Sequence, residues 1–229
     1  MIDLLQRRRA MMAQAQGGLP VGYTQYDWVQ CDGISNTSYI LVDLFPNYTT
    51  GWTFEGSFAK VIDPPSDYNQ RSIFTRFPNG NTYSNFGILG KARQINTIVF
   101  NYNSRTNSEN YAGVASTSIL VGEWHTFSLR TSSGVAYGGE CSLDGGSPVV
   151  YTGTRPSSDA NQELRLICGY PCRLAQFKVY YQGELVADLV PAMRDADNTA
   201  GFYDVVRSTF YAPSGDSTYT CGNGFENFS

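Results

Sequence analysis

The stretch that most restricts the fold runs from Arg173 to Val190. In an extended chain Ala175, Phe177, Val179 and Tyr181 fall on one side and Gln176, Lys178 and Tyr180 on the other, because successive strand side chains point to opposite faces. One face suits a core and the other is wetter. Gln182-Gly183 supplies a two-residue turn, and Glu184 to Val190 runs back with Leu185, Ala187 and Leu189 in phase. The segment therefore predicts a β-hairpin. Pro191 has no N–H to give a ladder, so the second strand is expected to end there or to lie at an edge. Gly201-Phe202-Tyr203-Asp204 and Thr209-Phe210-Tyr211 follow as short aromatic pieces that read as a cover over the core.

The chain before the hairpin repeats the same signal. Tyr26, Trp28 and Gln30 alternate with Asp27, Val29 and Cys31; Tyr39 to Val42 follows a turn-rich stretch; and Thr53 to Ile62 places Phe54, Gly56 and Phe58 on one face. Arg71 to Phe77, Tyr83 to Leu89 and Asn96 to Tyr102 are separated by Asn and Gly turns, and Glu163 to Cys168 closes the series. Strands about a dozen residues apart suit an antiparallel two-sheet sandwich. With 23 glycines and 14% aromatics in 229 residues, strands and turns are favoured over helices.

Met1 to Gln16 is the one convincing helix. Ile2, Leu5 and Met12 recur at helical spacing beside Arg7, Arg8 and Arg9, and Gly17-Gly18 with Pro20 stops the run. A lone helix of this length is marginal in water, so Ile2, Leu5 and Met12 are expected to pack on another chain or on the domain itself. The chain thus divides into a helical anchor or oligomerisation segment, 1–18, and a β domain, 19–229.

A net charge of −4 argues against nucleic acid as a partner, since phosphate binding needs a surplus of Lys and Arg on one surface. No stretch approaches the ~20 apolar residues of a membrane span, and Met1 to Gln16 lacks the apolar run of a secretory signal. A soluble chain that stays in its compartment of synthesis is expected. Five cysteines cannot all pair. Cys31 with Cys221 is a conceivable bridge between neighbouring strands, set against a reducing compartment. Cys168 and Cys172 have too few companion ligands for a structural zinc and read as buried thiols.

The order of a strand, a Gly turn, Leu185-Val186-Ala187-Asp188-Leu189-Val190-Pro191, then Gly201-Phe202-Tyr203-Asp204 and Thr209-Phe210-Tyr211 resembles the LamG-like, concanavalin A-like domains found in phage and prophage proteins of gut bacteria. Leu19 to Tyr26 resembles their opening segment. Gly122-Glu123-Trp124-His125 and the strand ending in Asp144-Gly145 form a third similar block. The resemblance implies an all-β, two-sheet antiparallel jelly roll (concanavalin A-like) behind a short N-terminal helix. It also implies a virion component, made in the bacterial host cytoplasm without a signal peptide. Other virion proteins would be met through the N-terminal helix, with a homo-oligomer expected because appendages are multi-copy.

Little in the sequence points to catalysis. His125 is the sole histidine and has no nucleophile elbow near it, so it reads as structural. The carboxylate pattern of sandwich glucanases, E-x-D-x-x-E on one strand, is absent; Glu140 to Asp144 comes nearest. No cofactor is expected. A rim Ca2+ on Asp144 and on Asp159 to Asn161, which the resemblance brings to mind, is set against the plainer reading of turn-forming residues. For sugars, aromatic rings beside polar turns are the candidates: Trp52, Tyr102, Tyr111 and Tyr137. The expected function is a non-enzymatic phage structural and adhesion protein that meets host-surface glycans. A bacterial carbohydrate-binding module is the alternative, and a glycoside hydrolase with an unfamiliar carboxylate pair the third reading.

Overall fold

The computed structural model describes residues 18–32, 38–44, 51–62, 71–78, 86–90, 98–102, 110–113, 120–131, 138–152, 162–168 and 171–226. All regular structure among them is β. In chain order the strands are β1 (Tyr23–Gln25), β2 (Trp28–Cys31), β3 (Tyr39–Val42), β4 (Trp52–Lys60), β5 (Arg71–Pro78), β6 (Phe86–Gly90), β7 (Ile98–Tyr102), β8 (Asn110–Gly113) and β9 (Trp124–Thr131). There follow β10 (Gly138–Leu143), β11 (Val149–Thr152), β12 (Gln162–Cys168), β13 (Cys172–Tyr181), β14 (Glu184–Arg194), β15 (Thr199–Asp204), β16 (Thr209–Tyr211), β17 (Pro213–Ser214) and β18 (Tyr219–Gly222). The expected helix, with Ile2, Leu5 and Met12, lies outside the described residues.

The strands form two antiparallel sheets. The larger runs β11-β10-β9-β4-β13-β14-β15-β16, with β1, β2 and β18 attached beside it; the smaller runs β17-β3-β12-β5-β6-β7-β8. Phe54, Phe127 and Phe177 of the larger sheet meet Phe74 of the smaller at ring-centroid distances of 5.4, 5.3 and 5.1 Å. All four rings are buried, and one apolar cluster joins them to Ile40, Val42, Leu164, Leu166, Leu189 and Phe202. Ring pairs of this kind contribute about 1 kcal/mol each beyond the area they bury. The β-sandwich expected from the alternation is therefore present.

The predicted hairpin is β13–β14, turning at Gln182 and Gly183 with φ of 51° and 88°. Both residues are left-handed, the two-residue geometry that matches the strand twist. Two bulges alter the expected side-chain phase. Leu174 faces Phe58 and Phe177 faces Gly56, so Ala175 and Gln176 together oppose Ser57. Ala175 accordingly leaves the core and packs with Ala59 and Trp124 on the outer face. The second bulge pairs Tyr180 with Leu185, which puts Leu185 outside while Ala187 and Leu189 remain buried.

Pro191 does not end its strand. β13 and β14 part after the pair Phe177 and Leu189, and the chain of β1 and β2 enters the gap. β2 pairs with β13 through Gln30 and Arg173, β1 with β14 through Tyr23 and Arg194, and β18 takes the free side of β2. Pro191 sits where the partner changes, so no donor is needed there, and its carbonyl accepts from the Tyr26 N–H at 3.0 Å. The pieces read as a cover are regular strands, β15 and β16, that extend the larger sheet. Cys31 faces Tyr219 while Cys221 faces Val29, a diagonal relation of roughly 7–8 Å. No disulfide joins them, and burial pushes the Cys221 thiol up to about 11.

Candidate functional site

The outer face of the larger sheet carries the densest set of polar groups. Because Phe177 and Val179 point into the core, Lys178 and Tyr180 point away from it. Lys178 lies opposite Glu55 on β4 and opposite Asp188 on β14, and Glu55 lies opposite Ser128 on β9. Glu55, Lys178 and Asp188 therefore form one row across three neighbouring strands. The β13 bulge adds Gln176, whose Nε2 donates to Asp188 Oδ1 at 2.5 Å. Tyr180 stands two residues along β13 on the same face, near the Glu55 carboxylate.

This row is unusually dry for an outward face. Lys178 is 8% exposed and Asp188 7%. Burial pushes the Asp188 carboxyl above the usual range, with Asp204 adding to the rise while Gln176 and Lys178 oppose it. Burial also raises Tyr180, helped by the charges of Glu55 and Asp188. Among the described residues the Lys178 ammonium, with its three donors, meets Asp188 Oδ2 at 3.9 Å, beyond hydrogen-bond reach. Gln176 Oε1 is buried with no hydrogen-bond partner among the described residues. The ammonium thus keeps donor capacity within the row, whereas Gln176 Oε1 is closed off from solvent.

Aromatic clusters flank the row on the same face. At one end Trp28 carries the Arg173 guanidinium over its ring at 4.1 Å, donates from Nε1 to Gly224 O at 3.1 Å, and packs with Phe225 against Ala59, Trp124 and Ala175. Arg173 Nε donates to Gln30 Oε1 at 2.7 Å. This cluster pins the segment after β18 to the sheet. On the β14–β16 side, Tyr23 meets Tyr203 at 4.9 Å and Phe210 at 5.3 Å, with Arg194 over Phe210.

His125 lies on the core-facing side of β9, opposite Phe58. Its Nδ1 and Asp144 Oδ2 are 2.7 Å apart, and Asp144 Oδ1 accepts from the Thr126 N–H at 2.8 Å. Burial acts to raise the Asp144 carboxyl, but the hydrogen bonds from His125 and Thr126 and the charge of His125 hold it below its usual value. His125 Nε2 is buried without a hydrogen-bond partner among the described residues, 3.9 Å from Glu123 Oε2. A nitrogen sealed from solvent cannot take a substrate proton, so the pair works as a latch between β9 and the turn at Asp144.

The residues expected to meet sugars fare differently. Trp52 is 3% exposed, packed against Tyr181 at 4.6 Å and Phe54, and offers no open ring face. It shares the face of Phe54 and Phe58, two residues apart along β4, and that phase is the signal that could have placed it in the core. Tyr102 and Asn110 pair in β7 and β8, as do Asn101 and Tyr111. Tyr137, Asp159 and Asn161 lie outside the described residues. Asp144 engages His125 and Thr126, and among the described residues no group of three or more His, Cys, Asp or Glu is placed to hold a metal ion. Sequence reasoning had Gln176, Lys178 and Tyr180 on the wetter face but missed Glu55 and Asp188, which only strand register brings beside them.

No protein-family model matches the chain, and no curated protein matches it. Solved structures give distant likenesses. An HCR/D mutant has a TM-score of 0.43 and 9% identity, and a receptor binding domain 0.39 and 11%; each match covers 71% of this chain and 43% of the other. A carbohydrate esterase of the Shiga toxin-encoding bacteriophage phi24B has a TM-score of 0.32 and 14% identity, covering 69% of this chain and 68% of that one. The chain thus spans less than half the length of the first two. Likenesses this remote carry neither an activity nor a partner across.

Proposed function

We propose that the chain is a non-enzymatic structural and adhesion module of a phage particle, a LamG-like, concanavalin A-like jelly roll that binds host-surface glycans on the outer face of its larger sheet. The observation that carries the binding reading is the row Glu55, Lys178 and Asp188 between two aromatic clusters, where the Lys178 ammonium keeps donor capacity beyond its long approach to Asp188. A ligand hydroxyl can accept from that ammonium, and a polar group beside aromatic rings is the combination that sugar sites use. The particle assignment is supported by the resemblance in the blocks around Leu19 to Tyr26, Gly122 to His125 and Leu185 to Tyr211. Residues 1–18 serve as anchor, with Ile2, Leu5 and Met12 as its packing positions and a homo-oligomer as the result.

Hydrolysis is disfavoured by what stands between the carboxylates. Glu55 and Asp188 sit two strand spacings apart, about 10 Å between backbones. Lys178 occupies the middle, where an inverting hydrolase would keep its water. The test is a glycan screen with the full chain, followed by the same screen after Lys178→Met. Binding that weakens about tenfold with the far-UV spectrum unchanged supports the reading. A screen without hits, or measurable sugar release from a bound oligosaccharide, rejects it. Light scattering of the full chain beside a chain starting at Leu19 tests the anchor: equal monomer masses would remove self-assembly through residues 1–18.

A further inference from the structure

We infer that Lys178 and Asp188 react with one another in the folded chain, forming an amide between Nζ and Cγ that cross-links β13 to β14. The inference goes beyond the glycan reading, and in the linked chain one amide N–H remains as the donor to a ligand. The groups that an amide-forming step needs are gathered on the row. Lys178 brings a primary amine whose Nζ lies 3.9 Å from Asp188 Oδ2, and the two residues face each other directly across the hairpin. Gln176 Nε2 donates to the other oxygen of that carboxyl, Oδ1, at 2.5 Å. Glu55, opposite Lys178 on β4, adds a second carboxyl on the other side of the amine's strand.

Burial drives the chemistry. With both side chains nearly dry, an ion pair loses much of its hydration, which favours an amine beside a carboxylic acid. Burial already pushes the Asp188 carboxyl toward the acid. The neutral Nζ attacks Cγ, and the negative charge that develops on Oδ1 is met by the Gln176 N–H, as in an oxyanion hole. Glu55 takes the proton that Nζ sheds and returns it to the departing Oδ2 hydroxyl; the Cγ–Oδ2 bond breaks and one water leaves. Holding the partners together replaces an encounter in solution with an effective molarity on the order of 10⁵ M. The place of the bond gives it a use. Lys178 and Asp188 are the pair next to Phe177 and Leu189, after which β13 and β14 part to admit β1 and β2. A covalent tie there pins the fork and restricts the unfolded chain much as a disulfide does.

The experiment is the intact mass of the full chain, followed by tryptic mapping after denaturation. A mass one water below that of the sequence is expected, with residues 174–194 recovered as a single piece that carries the deficit and is not cut after Lys178. Lys178→Met and Asp188→Ala should each show the full mass of their own sequences, and Glu55→Gln should leave most of the chain at full mass. Full mass in the parent, or ready cleavage after Lys178, overturns the cross-link, and so does a water deficit that maps elsewhere, such as to Asp144-Gly145. A Glu55→Gln chain linked as completely as the parent overturns the proton relay. Mass and sugar binding are read separately, so a linked chain that binds no glycan rejects the glycan reading and upholds the cross-link.

Discussion

Two turns of the larger sheet share one geometry and live in opposite surroundings. Residues 195–198 join β14 to β15, and residues 205–208 join β15 to β16; each ends on a left-handed residue, Asn198 or Ser208, both with φ of 54°, and each is followed by threonine. Each is also organised by one aspartate. Asp197 is exposed and takes a two-pronged contact from Arg194, at 3.1 and 2.7 Å, plus the Thr199 N–H. Asp204 is buried, and its Oδ1 accepts from the backbone N–H groups of Asp188, Val206 and Arg207 while Oδ2 has no hydrogen-bond partner among the described residues. Their carboxyls move in opposite directions: the Arg194 and Thr199 hydrogen bonds hold Asp197 well below the usual range, whereas burial raises Asp204. Chain geometry sets the turn, and burial sets what its aspartate costs.

The contrast can be broken most forcefully at Asp204. Asp204→Ala leaves three backbone donors short of their acceptor in a buried turn and should destabilise by about 3 kcal/mol, read from urea midpoints. Next comes the strand between the turns. A Cβ on Gly201 would lie 2.4 Å from Tyr211 O and 2.8 Å from the Phe210 ring, so Gly201→Ala should cost about 2 kcal/mol. A loss below 0.5 kcal/mol would show that β16 and its rings shift freely.

The pH dependence sharpens the comparison further. Asp204, raised in the folded state, adds stability that is complete below the ordinary carboxylate pKa of about 4 and is lost as pH rises through the folded value. Asp197, lowered, adds stability that is present above about pH 4 and is lost as pH falls through its folded value. Asp204→Asn should therefore flatten a decline in stability on the way up from pH 4, and Asp197→Asn a decline on the way down. Identical slopes for the two variants would refute the assignment. The smallest effect belongs to Asp197→Ala at neutral pH, a drop in the urea midpoint well below that of Gly201→Ala because the Arg194 contact is solvated.

Local pattern made the hairpin legible. Phe177 and Val179 alternating with Lys178 and Tyr180 toward Gln182-Gly183 can hardly be read otherwise. The bulges were not legible, since an inserted residue such as Gln176 looks like any other member of an alternating run, and each bulge inverted the expected side of one apolar residue, Ala175 or Leu185. The site was legible only by halves. Lys178 was on the right face, yet its neighbours Glu55 and Asp188 come from strands that the sequence does not align. Trp52 shows the converse error, where closeness to a polar turn outweighed the period-two phase that buries it with Phe54.

The wedge of β1 and β2 between the parted arms of β13 and β14 has a consequence in time. Tyr23 finds its ladder partner in Arg194 and Trp28 in Gly222, so the strands emerging first from the ribosome wait for nearly the whole domain before they can pair. Such long loops must close before any contact rewards them, which slows folding. During synthesis β1 and β2 stay open-edged, and a ribosome stalled before residue 219 would hold a larger sheet in which β2 still lacks its outer neighbour, exposed to pairing with another chain.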